Sequence, residues 1–185
     1  WLKFDTGMNR LGFMQNEIEN MLHRLKPFSK KIVLMTHLKS SSGKKMSTKI
    51  TKKQFNLFIK TASSLKEKNY NFLTSVSNSG GILNFENLFS DIERPGLSLY
   101  GSHYQHKSNT PRLKNVTTLV SKIISIKEIK KGETVGYDGL WQAKKNTSIG
   151  IIPIGYSDGI PLNYGNKGVV IVNKTKARVI GRVAM

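Results

Sequence analysis

The stretch KIVLMTH at residues 31–37 has the composition of a buried β-strand, and the fold of its surroundings can be worked out from it. A second run of the same kind, NFLTSV at residues 71–76, follows further along the chain. Each strand is preceded by an amphipathic helical pattern, with apolar residues at i, i+3, i+4 and i+7. These residues are Ile18, Met21, Leu22 and Leu25 in the first helix and Phe55, Phe58, Ile59 and Ala62 in the second. Strands that alternate with helices in this way predict parallel βα units.

The start of the second helix is predicted from a capping box, Thr51 to Gln54. In a capping box the first side chain binds a backbone N–H one turn ahead, and the fourth side chain reaches back to the N-cap. We therefore expect Thr51 to lie at the N-terminus of this helix.

The chain has two regions with different patterns. Strands and helices alternate over residues 1–110, whereas helical spacing is absent after residue 113. Short β-rich runs with glycine turns follow, at 116–128, 147–154, 168–173 and 177–184. We predict a βα domain over 1–110 and an all-β domain over 111–185, joined in the polar stretch from His103 to Pro111.

The composition is that of an ordinary globular protein and excludes several classes. Of 185 residues, 38% are apolar and 22% charged, which argues against a disordered chain. Cysteine is absent, so disulfide and thiolate chemistry are excluded. No apolar run approaches the ~20 residues that a membrane span requires. No metal site is expected.

The net charge of +19, from 30 basic and 11 acidic residues, raises the alternative of a nucleic-acid-binding module. The lysines are scattered as short pairs, and no aromatic residues alternate with them as a base-stacking platform would require. We favour a solvated, lysine-rich surface over a specific nucleic-acid site, and keep the binding module as an alternative.

Polar side chains follow the C-terminal ends of the predicted strands, which is where parallel βα units place their catalytic and binding residues. They are Lys3, Arg10, His37, Ser79 and Arg94. The segment SNSGG at residues 77–81 places hydroxyls beside two glycines, where backbone N–H groups can approach an anion such as phosphate.

In this order, the motifs resemble those of the alanine racemases. LKFDTGMNRLGF at residues 2–13 resembles a segment on a strand in the middle of their barrel, SNSG at 77–80 their phosphate loop, and RPGLSLYG at 94–101 their last barrel strand. IGYSDG at 154–159 is similar to the signature of their β domain, and GRVAM at 181–185 to a later segment of it.

The resemblance implies the C-terminal half of a (β/α)8 barrel followed by part of an all-β domain. Members of the family are longer fold-type III enzymes, with an N-terminal half-barrel that holds pyridoxal 5'-phosphate on a lysine. We therefore expect the chain to be an internal piece of such an enzyme and to be inactive alone.

The resemblance also implies roles in proton transfer. The family racemises alanine with a lysine base and a tyrosine base, and the tyrosine matches Tyr156. Free phenols ionise only near pH ~10, so a tyrosine base depends on neighbouring cations and hydrogen bonds. His37 and Arg94 match the residues that provide them, and Arg94 also matches the arginine that faces the cofactor's pyridine nitrogen.

The remaining matches concern binding. Ser79 and the backbone of Gly96 and Leu97 match phosphate-binding positions. The substrate carboxylate is implied to contact Arg10 and the backbone of Met185. Lys3 matches a lysine that is carbamylated in many members.

The resemblance finally implies a cytoplasmic homodimer with shared active sites that takes alanine and supplies D-alanine for peptidoglycan. Substrates such as serine, or a broader range of amino acids, are left open. The alternative within the same fold type is a decarboxylase or a cofactor-carrying protein, against which the strand-end residues and IGYSDG argue.

Overall fold

The computed structural model describes residues 1–102 and 113–185, which form two compact units over 1–118 and 119–185. The predicted join from His103 to Pro111, and with it the boundary between residues 110 and 111, lies outside the described residues. The two units are therefore treated separately below.

The first unit contains a parallel three-stranded sheet with the order β1-β2-β3. Its strands are β1 (Leu2–Lys3), β2 (Val33–Met35) and β3 (Leu73–Ser75). Helices α1 (Ile18–Leu25) and α2 (Lys45–Glu67) connect them in turn, and α3 (Ser79–Asn84) follows β3. The predicted parallel βα units are confirmed.

The core of the first unit lies between this sheet and the helices. Phe4, just after β1, and Phe58 on α2 are both fully buried, and their rings stack with centroids 6.2 Å apart. Ile18 and Leu22 of α1 and Leu34 of β2 complete the centre of this cluster. Fixing the strands against α1 and α2 in this way also fixes the loops at the strand ends.

Helix α2 begins at Lys45, six residues before the predicted capping box, so that prediction is wrong. Thr51 lies inside the helix and is fully buried, and its hydroxyl donates to the carbonyl of Ser40 instead of accepting from a backbone N–H. Gln54 is also buried and bonds to groups outside its own helix. Tertiary partners thus replace the local cap that the sequence pattern suggested.

The structure differs from the barrel strand that the resemblance predicts over RPGLSLYG at 94–101. Ile92 and Arg94 donate backbone N–H bonds to Thr74 and Ser77, which leaves only an isolated parallel bridge between Asn78 and Arg94. Pro95 has no N–H with which to continue the ladder. The chain then turns into a 3₁₀ helix over Leu97–Tyr100.

The second unit is built from antiparallel pairs, as predicted for an all-β region. Strand β4 (Ser125–Ile129) pairs with β7 (Thr147–Ile151), β5 (Thr134–Val135) with β6 (Trp141–Gln142), and β8 (Val169–Val172) with β9 (Thr175–Arg178). The short pair β5–β6 was not predicted. Residues 116–124 and 179–184, which were predicted to be strand, have no strand assignment.

Within the described ranges 1–102 and 113–185, no helix combines the length and apolarity needed to cross a bilayer. Among those same residues, His, Asp and Glu side chains nowhere gather in a group of three or more that could bind a metal ion.

Candidate active site

The imidazole of His37 lies at the C-terminal end of β2 with an N–H donor facing each ring nitrogen. Nη1 of Arg94 is 3.4 Å from Nδ1, and Nδ2 of Asn78 is 3.5 Å from Nε2. Because a guanidinium can only donate, Nδ1 accepts from Arg94 and the proton of the neutral ring lies on Nε2. The 3.5 Å approach of Asn78 Nδ2 to Nε2 is then a contact between two donors and not a hydrogen bond, since this amide nitrogen donates to the Leu38 carbonyl at 3.0 Å.

The charge state of His37 follows from this environment. Partial burial lowers its pKa below 6.5, and the positive charges of Arg94, Arg10 and Lys3 lower it further. His37 is therefore a neutral imidazole near pH 7, with a lone pair directed at Arg94 and an N–H available on the other side.

Neutral acceptors hold the guanidinium of Arg94 in place. Its Nε donates to Oγ of Ser75 at 2.9 Å, and its Nη2 donates to the carbonyls of Val76, at 3.1 Å, and of Thr36. Burial lowers the pKa of Arg94, and the charge of Glu93 opposes this shift. Because these acceptors carry no charge, the positive charge of Arg94 remains available to an anion.

The described hydrogen bonds of Arg94 do not include an ion pair with its neighbours in the sequence, Asp91 and Glu93. The carboxylate of Asp91 accepts from the backbone and hydroxyl of Thr74, at 2.7 and 2.6 Å. Glu93 accepts from the hydroxyl of Ser90 at 2.9 Å. The arginine instead turns toward the strand ends.

Lys3 and Arg10 lie within electrostatic range of His37 at the end of β1. The loop after β1 folds back on the strand, with hydrogen bonds from Phe13 N–H to Lys3 and from Asp5 N–H to Phe13. Gly12 permits this close return, because a Cβ there would lie 3.0 Å from both the Lys3 carbonyl and the Asp5 N–H. The charges of Lys3 and Arg10 thus act on His37 together with that of Arg94, which contacts its ring.

A second donor cluster surrounds the hydroxyl of Ser79, at the start of α3. The backbone N–H groups of Gly96 and Ser98 converge on Ser79 Oγ at 2.9 and 3.1 Å, and the Ser98 hydroxyl lies 3.1 Å from it. A Cβ on Gly96 would meet nothing within 4 Å, so the space in front of this backbone is open. Converging hydroxyl and amide donors beside open space fit a phosphate group.

In the second unit, Tyr156 and Met185 are adjacent. The N–H of Tyr156 donates to the Ala184 carbonyl, and the N–H and hydroxyl of Ser157 donate to the Met185 carbonyl, at 2.9, 2.9 and 2.6 Å. Gly155 permits the contact, since a Cβ there would lie 2.1 Å from the Ala184 oxygen. The side chains of Tyr156 and Met185 are both exposed, so each can contact a ligand.

The structure adds three polar residues to those singled out from the sequence. Asn78 caps α3 by accepting from the Gly81 N–H and also approaches His37; Ser75 binds Arg94; and Ser98 joins the cluster around Ser79. An Asn directly before Ser-Gly-Gly is a recognisable N-cap signal. Nothing in the sequence pattern marks Ser75 or Ser98, because their roles depend on which strand ends meet.

Comparison with known proteins assigns the family. A family profile described as "Alanine racemase, N-terminal domain" matches residues 1–104, and one described as "Alanine racemase, C-terminal domain" matches residues 116–185. An alanine racemase of Borreliella burgdorferi (strain ZS7) is 40% identical over 191 residues, an alignment that covers all of this chain and 50% of that protein.

Solved structures of alanine racemases also match this chain. The alanine racemase from Acinetobacter baumannii matches with a TM-score of 0.81 and 33% identity, over all of this chain and 51% of that one. The alanine racemase from Bartonella henselae with covalently bound pyridoxal phosphate matches with a TM-score of 0.78 and 28% identity, over all of this chain and 50% of that one.

Parallel βα units with cationic and hydroxyl side chains at their strand ends, followed by an antiparallel β region, match the (β/α)8 barrel and β domain of these enzymes, as predicted. The chain belongs to the alanine racemase family. It spans about half the length of the relatives that it matches.

Proposed function

We propose that the protein carrying this chain interconverts L- and D-alanine with pyridoxal 5'-phosphate as cofactor. The observation that carries the proposal is the His37–Arg94 pair, a neutral imidazole facing a guanidinium that no carboxylate neutralises in its described contacts. Such a pair can stabilise an anionic oxygen placed against it, which is what a tyrosine base requires.

The residues around Ser79 fit the cofactor's phosphate. The Ser79 hydroxyl and the backbone N–H groups of Gly96, Leu97 and Ser98 would hold it, and Arg94 would face the pyridine ring. When bound, this cofactor supplies an electron sink that makes the α-proton of an amino acid acidic. The protein's part is then to orient the substrate and to carry the proton.

Tyr156 is proposed as the base for the L-enantiomer. Its phenolic oxygen accepts the α-proton of L-alanine and returns a proton in the opposite direction. The Nε2–H of His37 donates to that oxygen while it is anionic, and Arg94 stabilises the arrangement through Nδ1. A neutral His37 suits this role, because it can donate without transferring its own proton.

Substrate orientation falls to the cations of the first unit and to the tail of the second. Arg10 binds the substrate carboxylate, and the backbone of Met185 adds a second contact. Lys3 is proposed to orient Arg10 when it is carbamylated, and the negative carbamate would then replace the positive charge of Lys3 that lowers the pKa of His37. A carboxylate substrate also balances the positive charge of this cluster.

We further propose a homodimer in which Tyr156 and Met185 of one subunit complete the site of the other. Shared sites of this kind make activity depend on assembly. In the cell the enzyme would act in the cytoplasm and supply D-alanine for peptidoglycan.

The test is to express the full-length protein and follow D-alanine formation from L-alanine by chiral chromatography, with and without added cofactor. We expect cofactor-dependent racemisation of alanine that exceeds that of L-serine. Replacement of Arg94 by Gln should lower the rate at least ~10-fold, as general acid–base catalysis contributes that much or more. A purified, cofactor-loaded dimer that leaves alanine unracemised would refute the proposal.

A further inference from the structure

Gln54 lies on α2, yet its side chain is only 2% exposed and bonds to groups that follow β1 and β2. Its Oε1 accepts the backbone N–H of Lys39 at 3.0 Å. Its Nε2 donates to the backbone carbonyl of His37 at 3.2 Å and to the hydroxyl of Thr6 at 3.1 Å. One amide therefore clamps the backbone on both sides of Leu38 and ties it to the end of β1.

The chemistry of the partners requires a carboxamide at this position. A backbone N–H can only donate and a backbone carbonyl can only accept, so the orientation of the amide is fixed by Lys39 and His37. A carboxylate could not donate to His37, an ammonium could not accept from Lys39, and an apolar side chain would remove the partner of both groups. Both N–H groups of the Gln54 amide and one lone pair of its oxygen are thereby used.

The clamp continues to Arg94 through two hydroxyls. Thr6 Oγ1 lies 2.7 Å from Thr36 Oγ1, and the carbonyl of Thr36 accepts from Nη2 of Arg94. Because Arg94 in turn faces Nδ1 of His37 at 3.4 Å, the network from Gln54 reaches this histidine by two routes, through its own carbonyl and through its arginine partner. Thr6 and Thr36 are both buried, so water cannot readily replace these bonds.

We propose that Gln54 is a positioning residue that holds the His37–Arg94 pair in the geometry used by the tyrosine base. This inference rests on the proposed racemase function. It predicts a selective defect: the proton transfer that depends on His37 and Arg94 suffers, whereas the transfer carried by the lysine base on the other face of the substrate does not.

The test uses the full-length protein and four variants. Gln54→Met conserves volume and removes the amide, and Thr6→Val removes only the hydroxyl beyond it, while Thr6→Ser keeps that hydroxyl. Gln15→Met is the matched control, because Gln15, an exposed residue before α1, also donates to a threonine of α2, Thr61, at 3.1 Å. Thr61 is seven residues from Gln54, or ~10 Å along the helix axis.

The structural readout needs no catalysis. Amide hydrogen exchange of a peptide spanning residues 36–40 should accelerate at least ~10-fold in Gln54→Met, because the Lys39 N–H loses its acceptor and the loop opens locally. Exchange there should be unchanged in Gln15→Met and Thr6→Ser. Unchanged exchange in Gln54→Met would overturn the inference even if the protein proved not to be a racemase.

The catalytic readout is the rate at which the α-proton of each alanine enantiomer exchanges with D₂O. In Gln54→Met we expect exchange from L-alanine to fall about 10- to 100-fold, because displacing a catalytic group by about 1 Å costs up to ~100-fold in rate. Exchange from D-alanine should stay within about twofold of wild type. Thr6→Val should show the same asymmetry more weakly, and Thr6→Ser, which keeps the hydroxyl, should exchange both enantiomers at the wild-type rates. Equal losses for both enantiomers, or none, would show that Gln54 is only a packing residue. If the wild-type protein exchanges the α-proton of neither enantiomer, the proposed racemase function is wrong. Amide hydrogen exchange alone then tests whether Gln54 holds the loop after β2.

Discussion

At the scale of single residues, the protonation of His37 is the property on which the mechanism depends most. Partial burial and then the charges of Arg94, Arg10 and Lys3 all favour the neutral ring. We expect its pKa in the full-length protein to lie below 6.5, measured from the pH dependence of its ¹³Cε1 NMR signal. Arg94→Gln should raise the value, and Lys66→Gln, a charge removed from the exposed end of α2, should leave it unchanged.

The same shift has a consequence for stability. A histidine whose pKa is lower in the folded than in the unfolded protein opposes folding when protonated. Its contribution to stability is therefore fully present above pH 6.5 and is lost as the pH falls through the folded-state value. A folded-state pKa at or above 6.5, or no response to Arg94→Gln, would contradict the site geometry described here.

A second single-residue prediction concerns Ser79. Its hydroxyl is the point on which the N–H groups of Gly96 and Ser98 converge. Ser79→Ala should weaken binding of pyridoxal 5'-phosphate by ~1.5–3 kcal/mol, the value of a hydrogen bond to a charged group, with little change in turnover at saturating cofactor. Equilibrium dialysis measures this, with Ser63→Ala on the exposed face of α2 as control. An unchanged affinity would place the phosphate elsewhere.

At the scale of secondary-structure elements, the contact between IGYSDG and the end of GRVAM positions Tyr156. Gly155 touches the backbone of Ala184, so Gly155→Ala would drive the two segments apart. We expect the full-length variant to lose most of its racemase activity while cofactor affinity stays near wild type. Gly150→Ala is the control, because a Cβ in that strand would make only ordinary contacts of 3.4–3.5 Å with Ile123. Equal activity in the two variants would show that the contact between Gly155 and Ala184 does not position Tyr156.

The elements differ in how well the sequence predicted them. The apolar spacing of α1 and the β-strand character of residues 31–37 were sufficient, because both depend on periodic burial against one core. The capping box at Thr51 and Gln54 failed, since a cap signal is local whereas these two side chains bond to the loop after β2. The strand expected around Arg94 failed because Pro95 interrupts the ladder.

The candidate site shows the same division. His37 could be singled out because it follows an apolar run, and Ser79 and Arg94 because they lie within the motifs SNSG and RPGLSLYG. Ser75, Ser98 and Gln54 could not, because their functions arise only when the ends of β1, β2 and β3 are brought together. Residues that position other residues carry no sequence signal of their own until the contacts are known.

At the scale of the whole molecule, the proposed chemistry divides between the two units. The first supplies the cations and phosphate donors at its strand ends, and the second supplies Tyr156 and Met185. The net charge of +19 is spread over exposed lysines, including those along α2. For the site itself, the relevant charge is the group of Lys3, Arg10 and Arg94 around a neutral His37.

The central claim, that Tyr156 is the base for L-alanine, is tested most directly by Tyr156→Phe in the cofactor-loaded, full-length protein. The measurement is the exchange of the α-proton of each enantiomer with D₂O, followed by NMR. We predict that exchange from L-alanine falls at least ~100-fold, the usual lower contribution of a general base, while exchange from D-alanine through the lysine base continues. Exchange from L-alanine at the wild-type rate would contradict the account.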